Sequence, residues 1–299
     1  MKISALDAVW YNLPFNARLR RISELGYEGV EFWLTAAELG FEVTLQWPSS
    51  HKVDRLALSE RDMTKMLEEN DLKAVALGQY CLLGEFPHPF EPTEVDFGRR
   101  KTRRIEDIKA LMDYAVGIGT KVVITETGGH AEKPEQWTPL LEIVFDLVEY
   151  AEKIGAILAI ENAPHFLVND VDDLLRLMNE IDSKALRINF DPANLNLAPP
   201  GVWDIPEAIK KLRNYICLVH TKDSVYGGSR WGKQPDGTWD IRPVGRGKVP
   251  WKECLSALEE IGYKGHLIME YEEAPKGEAE RSMIEGKKYL EGLLTKTSL

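Results

Sequence analysis

The sequence predicts an α/β chain forming one domain, residues 1–299, folded as a single (β/α)8 barrel. Three features predict it: short β-branched runs recur eight times, segments of helical periodicity separate them, and no shift in composition marks a domain boundary. The first four runs are KISAL from residue 2, GVEFWL from 29, KAVALGQY from 73 and KVVITET from 121. ILAIEN from 157, LRINFD from 186, ICLVHT from 216 and HLIMEY from 266 complete the set, each apolar enough on both faces to be a buried parallel strand. Between them, RRIEDIKALMDYAVGIG, LLEIVFDLVEYAEKIG and WKECLSALEEIG show helical spacing and end in a glycine suited to closing a helix.

An open doubly wound sheet is the competing architecture. No G-x-G-x-x-G follows the first strand, and the glycines of VGRGK lack the Walker spacing, so the nucleotide signatures of such sheets are missing. Three connections exceed what a barrel needs, roughly residues 35 to 60, 81 to 100 and 223 to 248. Each follows a strand and so falls on the catalytic face, where such loops shape or cover a site; surface insertion or subunit contact is the plainer alternative.

With 299 residues and 44% hydrophobic content the chain can bury a large core. A net charge of -11 and a pI near 5.2 leave no electrostatic footprint for nucleic acid or an anionic membrane. The N-terminus MKISALDAVW holds no apolar run of secretory length and no later segment has bilayer-spanning length, so a cytoplasmic protein is expected. Cys81, Cys217 and Cys254 are odd in number and widely spaced, which points to buried thiols rather than a disulfide framework or a cysteine metal site.

The chemistry is concentrated where polar residues end the apolar strands. Glu161 ends ILAIE, Asp191 ends INFD, His220 ends LVH and Glu270 ends LIME, on four consecutive strands. In a barrel such ends converge on one face, where three carboxylates near a low-dielectric core call for a divalent ion. Oxygen-rich ligation with one imidazole suits Mn2+ first, with Mg2+, Co2+ or Zn2+ as alternatives. Any one of the four could be an ordinary hydrogen-bonded residue; four in register form a pattern.

The same rim carries Glu31 and Trp33 on the second strand, Gln79 on the third and Glu126 on the fourth, while Asn162, His165 and Asn194 follow the ligands. An aromatic such as Trp33 can face the C–H surface of a sugar, and carboxylates or amides can hold hydroxyls. Lys222 and Asp223 either face the site or pair with each other. His130 is a weaker candidate proton donor, and RRKTRR at 99 to 104 reads as a solvated face before a phosphate site.

At AIEN (159 to 162), NFDPANL (189 to 195), LVHTKD (218 to 223), PVGRGKVPWKECLSALEEIGYKGHLIMEYE (243 to 272) and ELGYEGVEFW (24 to 33), the chain resembles the xylose isomerase-like barrels. These are metal-dependent sugar isomerases and epimerases that include ketose 3-epimerases, inosose isomerases and inosose dehydratases. The resemblance implies Glu161, Asp191, His220 and Glu270 as metal ligands, with Glu161 and Glu270 also working as acid and base on opposite faces of the substrate. It further implies an enediolate stabilised by the metal, a substrate-contacting Arg242 (a solvated arginine is the alternative), and a homodimer or homotetramer.

Two departures narrow the substrate. A histidine that touches substrate in ketose 3-epimerases, three residues after the ligand aspartate, is Asn194 here. The extra histidines that related DNA-repair endonucleases place on the third and fourth strands are replaced by Gln79, Tyr80 and Glu126. The expected activity is therefore isomerisation or epimerisation of an unphosphorylated sugar, keto-sugar or cyclitol. A lyase sharing the same first step is the alternative, and a non-catalytic sugar-binding barrel is a second.

Overall fold

A computed structural model describes residues 1–10, 13–33, 58–83, 97–228, 232–238, 240–271 and 278–297, apart from the side chains of 79–81, 97–104, 296 and 297. Most of the connections expected at 35 to 60 and 81 to 100 lies outside the described residues.

The strands are β1 (Lys2–Leu6), β2 (Gly29–Phe32), β3 (Lys73–Cys81), β4 (Val122–Glu126), β5 (Ile157–Glu161), β6 (Leu186–Phe190), β7 (Ile216–Thr221), the short β8 (Asp223–Ser224) and β9 (Ile241–Arg242), and β10 (His266–Met269). Eight of them close a parallel barrel in the order β1-β10-β7-β6-β5-β4-β3-β2, while β8 and β9 form a separate antiparallel pair. The eight runs expected from the sequence are the eight barrel strands. The helices are α1 (Phe15–Glu24), α2 (Glu60–Glu69), α3 (Phe97–Gly117), α4 (Trp137–Ile154), α5 (Val171–Ile181), α6 (Pro192–Asn196), α7 (Ile205–Lys211), α8 (Trp251–Glu260) and α9 (Glu278–Thr297). Gly155 closes α4 at φ 77°, a left-handed cap open to glycine at little cost.

Two apolar layers form the core. One lies between strands and helices and includes Val123, Leu158, Ile188, Val219 and Leu267. The other gathers Leu6, Ile124, Ala159, Leu218 and Ile268, with Trp33 packed against it. Strand side chains alternate, so the residue two places beyond Ile124, Ala159, Leu218 or Ile268 shares its face. Those residues are Glu126, Glu161, His220 and Glu270: the polar end of the barrel is built directly over its apolar floor.

The register between β6 and β7 is interrupted once. Ile188 pairs with Ile216 and Asn189 with Leu218, so Cys217 is an extra residue on β7.

At the end of β1 the buried Asp7 pairs with Arg18 of α1 at 2.7 Å and accepts the backbone N–H of Trp33 at 2.9 Å. One carboxylate thus ties β1, α1 and the end of β2 together. Burial nonetheless raises the Asp7 carboxyl above its ordinary value against the pull of Arg18. Removing one member of a buried pair leaves an uncompensated charge, so Arg18→Ala should cost about 3 kcal/mol or more in urea unfolding. A loss below about 1 kcal/mol would mean that the pair adds little.

Candidate metal centre

Glu161, Asp191, His220 and Glu270 are all buried, and each offers one ligand atom within 4.8 Å of the others. In barrel order their strands run β10, β7, β6, β5, so the glutamates flank the histidine and the aspartate. The side chains that hold them come from the same strand ends. Asn189 donates to Glu161 Oε2 at 2.9 Å, and Asn194 donates to Glu161 Oε1 at 3.3 Å. Asp191 follows β6 and caps α6: its Oδ1 accepts the N–H groups of Ala193 and Asn194 at 2.8 and 3.1 Å. That leaves Oδ2 as its ligand atom.

His220 is oriented from behind, its Nε2 lying 2.9 Å from Glu31 Oε2. With Nε2 turned toward Glu31, Nδ1 faces the cluster, 2.9 Å from Glu270 Oε2 and 3.2 Å from Glu161 Oε2. Neither His220 Nδ1 nor Asp191 Oδ2 has an aligned hydrogen-bond partner. Both atoms are met only by charged neighbours, and such a pair at the centre of one carboxylate cluster fits a divalent cation. Gly78 makes room behind this arrangement, because a Cβ there would meet Glu31 Oε1 at 2.8 Å.

Lys222 is the other positive group. Its Nζ donates to Glu270 Oε2 at 2.9 Å and lies 2.8 Å from Asp191 Oδ2 and 4.0 Å from Glu161 Oε1. Burial pushes the Asp191 carboxyl up to about 6 despite Lys222. For Glu161, burial is outweighed by His220 and Lys222, and its carboxyl is held below the ordinary value. Burial would lower the His220 imidazole, but Glu161, Glu31 and Glu270 raise it well above the usual histidine value.

The other residues expected at the site divide. Trp33 is half-buried at the barrel mouth, its Cδ1 3.5 Å from where a Cβ on Gly78 would lie. Glu126 is half-buried in register with Glu161, and Asn194 touches Glu161. Gln79 lies on β3, and its side chain is outside the described residues. Asn162 is spent as a clamp, exchanging two hydrogen bonds with the backbone of Asp191 at 2.9 and 3.0 Å. Asp223 neither joins the cluster nor pairs with Lys222. Its carboxylate accepts the N–H groups of Ser224, Gly245 and Val249 at 2.9 to 3.0 Å, fixing the loop before α8. His165 is exposed at φ 71°, and its carbonyl accepts from Ala131. Arg242 is half-buried on β9, opposite Asp223.

Sequence reasoning did not assign Asn189, although an Asn inside the apolar run LRINF was its signal. It placed Glu31 on the rim without seeing that it orients His220.

A model of the xylose isomerase-like TIM barrel family matches residues 19–293. Fructoselysine 3-epimerase of Escherichia coli O157:H7 is 25% identical over 282 residues, covering 90% of each chain. Inosose dehydratase of Clostridium perfringens is 23% identical over 265 residues, 79% of this chain and 78% of the relative. A solved xylose isomerase-like TIM barrel protein from Mycobacterium smegmatis, in complex with magnesium, superposes with TM-score 0.69 at 18% identity, over 99% of this chain and 97% of that one, a likeness of fold. Among the described residues no helix is long and apolar enough to cross a membrane.

Two outcomes follow from the geometry. The carboxylates around His220 raise its affinity for a proton, and a cation at Nδ1 competes with that proton, so Mn2+ affinity should rise from pH 5 to pH 8 and binding should release protons. Calorimetry in two buffers of different ionisation enthalpy reads this directly, and pH-independent affinity would contradict it. Glu31→Ala, which frees the imidazole, should weaken Mn2+ binding by roughly 10- to 100-fold.

Proposed function

The chain belongs to the xylose isomerase-like TIM barrel family, and from that premise we propose that it is a divalent-metal-dependent isomerase or epimerase of an unphosphorylated sugar, keto-sugar or cyclitol. The observation that carries the reading is the pair of buried glutamates, Glu161 and Glu270, on the two outer strands of the four that bring the ligand set together. Glu161, Asp191, His220 and Glu270 would hold the cation (Mn2+ first, with Mg2+, Co2+ and Zn2+ as alternatives), which would supply positive charge beside a substrate carbonyl and so favour enediolate chemistry.

The chain's own residues do the rest. One glutamate removes a proton from the carbon beside the carbonyl, and the other returns a proton from the opposite face. Asn189 and Asn194 fix the rotamer of Glu161, and Lys222 fixes that of Glu270, so both carboxylates are aimed before substrate arrives. Trp33, Gln79 and Glu126 are the substrate contacts proposed for the rim. The similarity to inosose dehydratase supports a second reading, in which the same deprotonation is followed by loss of water from the neighbouring carbon.

Metal-stripped protein reloaded with Mn2+ and incubated in D2O with ketoses, keto-glucosides and inososes separates the readings by NMR. Deuterium on carbon in an epimeric or isomeric product is the expected result, loss of water marks the lyase, and no exchange with any substrate despite bound metal contradicts a catalytic role. Glu161→Gln and Glu270→Gln should each lower turnover by roughly 10²- to 10⁴-fold beyond any fall in metal occupancy. If turnover falls only as far as occupancy, the two glutamates are ligands without an acid–base task.

A further inference from the structure

Lys222 is 2% exposed, with Glu161, Asp191 and Glu270 equally enclosed around it. An ammonium with a four-carbon stem is ordinarily kept in water, so its position calls for a reason. The oxygens it approaches are specific. Asp191 Oδ1 is occupied by two backbone N–H groups, and Lys222 stands at the other oxygen, Oδ2, 2.8 Å away. On Glu270 it takes Oε2, the oxygen that also lies 2.9 Å from His220 Nδ1. Asp191 Oδ2 is the oxygen that its capping bonds leave for a cation, and Glu270 Oε2 is the one beside His220 Nδ1.

We infer that Lys222 is a tethered cation that shares the work of a metal: it holds the carboxylate cluster together when no ion is bound, and it lets a divalent ion complete the charge balance when one is. The charge count supports the division. The three ligand carboxylates around one divalent ion keep one net negative charge, which a single ammonium cancels, while Glu31 behind them is met by His220. Without the ion, the same ammonium stands between Asp191 Oδ2 and Glu270 Oε2 and offsets their repulsion in a dry site. Its placement is enforced from both sides along the chain. His220 precedes it on β7, and Asp223 and Ser224 follow it, pinned by the N–H groups of Gly245 and Val249 and by Asn196. Lys222 is thus a positioning residue for the ligand carboxylates. The inference rests on the metal reading of the site.

The test is a thermal melt at one fixed pH of full-length wild type, Lys222→Met and Lys222→Arg, each metal-stripped and then saturated with Mn2+. Stripped Lys222→Met should melt roughly 5–10 °C below stripped wild type, since an uncompensated buried charge is left behind. Lys222→Arg should stay near wild type. With Mn2+ the deficit of Lys222→Met should shrink to less than half, because the ion then supplies most of the missing charge.

A deficit of the same size with and without Mn2+, or no deficit in the stripped protein, overturns the inference. Should stripped Lys222→Met fail to fold, refolding it in saturating Mn2+ decides: recovery of wild-type near-ultraviolet circular dichroism supports the shared role, and failure overturns it. A wild type whose melting ignores Mn2+ overturns the metal reading together with this inference, a pattern distinct from a normal wild-type response with an unaltered deficit in the variant.

Discussion

Four carboxylates are buried at one end of this barrel: Glu31, Glu161, Asp191 and Glu270, none more than 4% exposed. Desolvating that much like charge is unfavourable by several kcal/mol per ion unless each is met by a donor or a cation. Much of the surrounding detail answers to this constraint. Asn189, Asn194 and two backbone N–H groups supply neutral donors, His220 bridges Glu31 to the inner pair, and Lys222 brings a permanent positive charge. The site is a charge problem solved directly above an apolar layer of the barrel interior.

The barrel does more than bring strand ends together. Alternation along each strand stacks Glu161 above Ala159, His220 above Leu218 and Glu270 above Ile268, so the apolar layer that seals the barrel also fixes the height at which the polar groups stand. Lateral position comes from cross-strand clamps. Asn162 grips the backbone of Asp191 from β5, and Asn194 reaches back from α6 to Glu161 and to the Asn162 carbonyl. Such a site is preorganised, because the groups that would otherwise rotate are held by neighbours that do not react.

How much of this could be read from the sequence depended on periodicity. Strands announced themselves as apolar runs, and the four ligand candidates as polar residues ending successive runs, a signal repeated often enough to stand above chance. Asn189 and Glu31 give no repeated signal: each is a lone polar residue in an apolar stretch, and only the packed barrel reveals what faces it. Asp223 shows the opposite difficulty. Next to Lys222 in sequence it shared the expectation of facing the site, yet the chain leaves β7 there and turns into the β8–β9 pair, so neighbouring side chains serve different masters: Lys222 the carboxylates, Asp223 the amides of the following loop. The long connections offered no periodic pattern from which to derive a conformation.

The extra residue on β7 has a consequence for how such a barrel can change over generations. From Cys217 onward β7 is one residue out of step with β6, and that offset is part of what turns His220 inward. Losing or gaining one codon inside the strand would reverse the facing of the side chains on one side of the change, exchanging Leu218 and His220 for neighbours that now point at the helices. Substitutions can be sampled one contact at a time, whereas a frame of single residues along each strand must be inherited whole. Changes in chain length are therefore channelled into the connections at the barrel mouth, where they alter what the site admits without disturbing the groups that hold its charge.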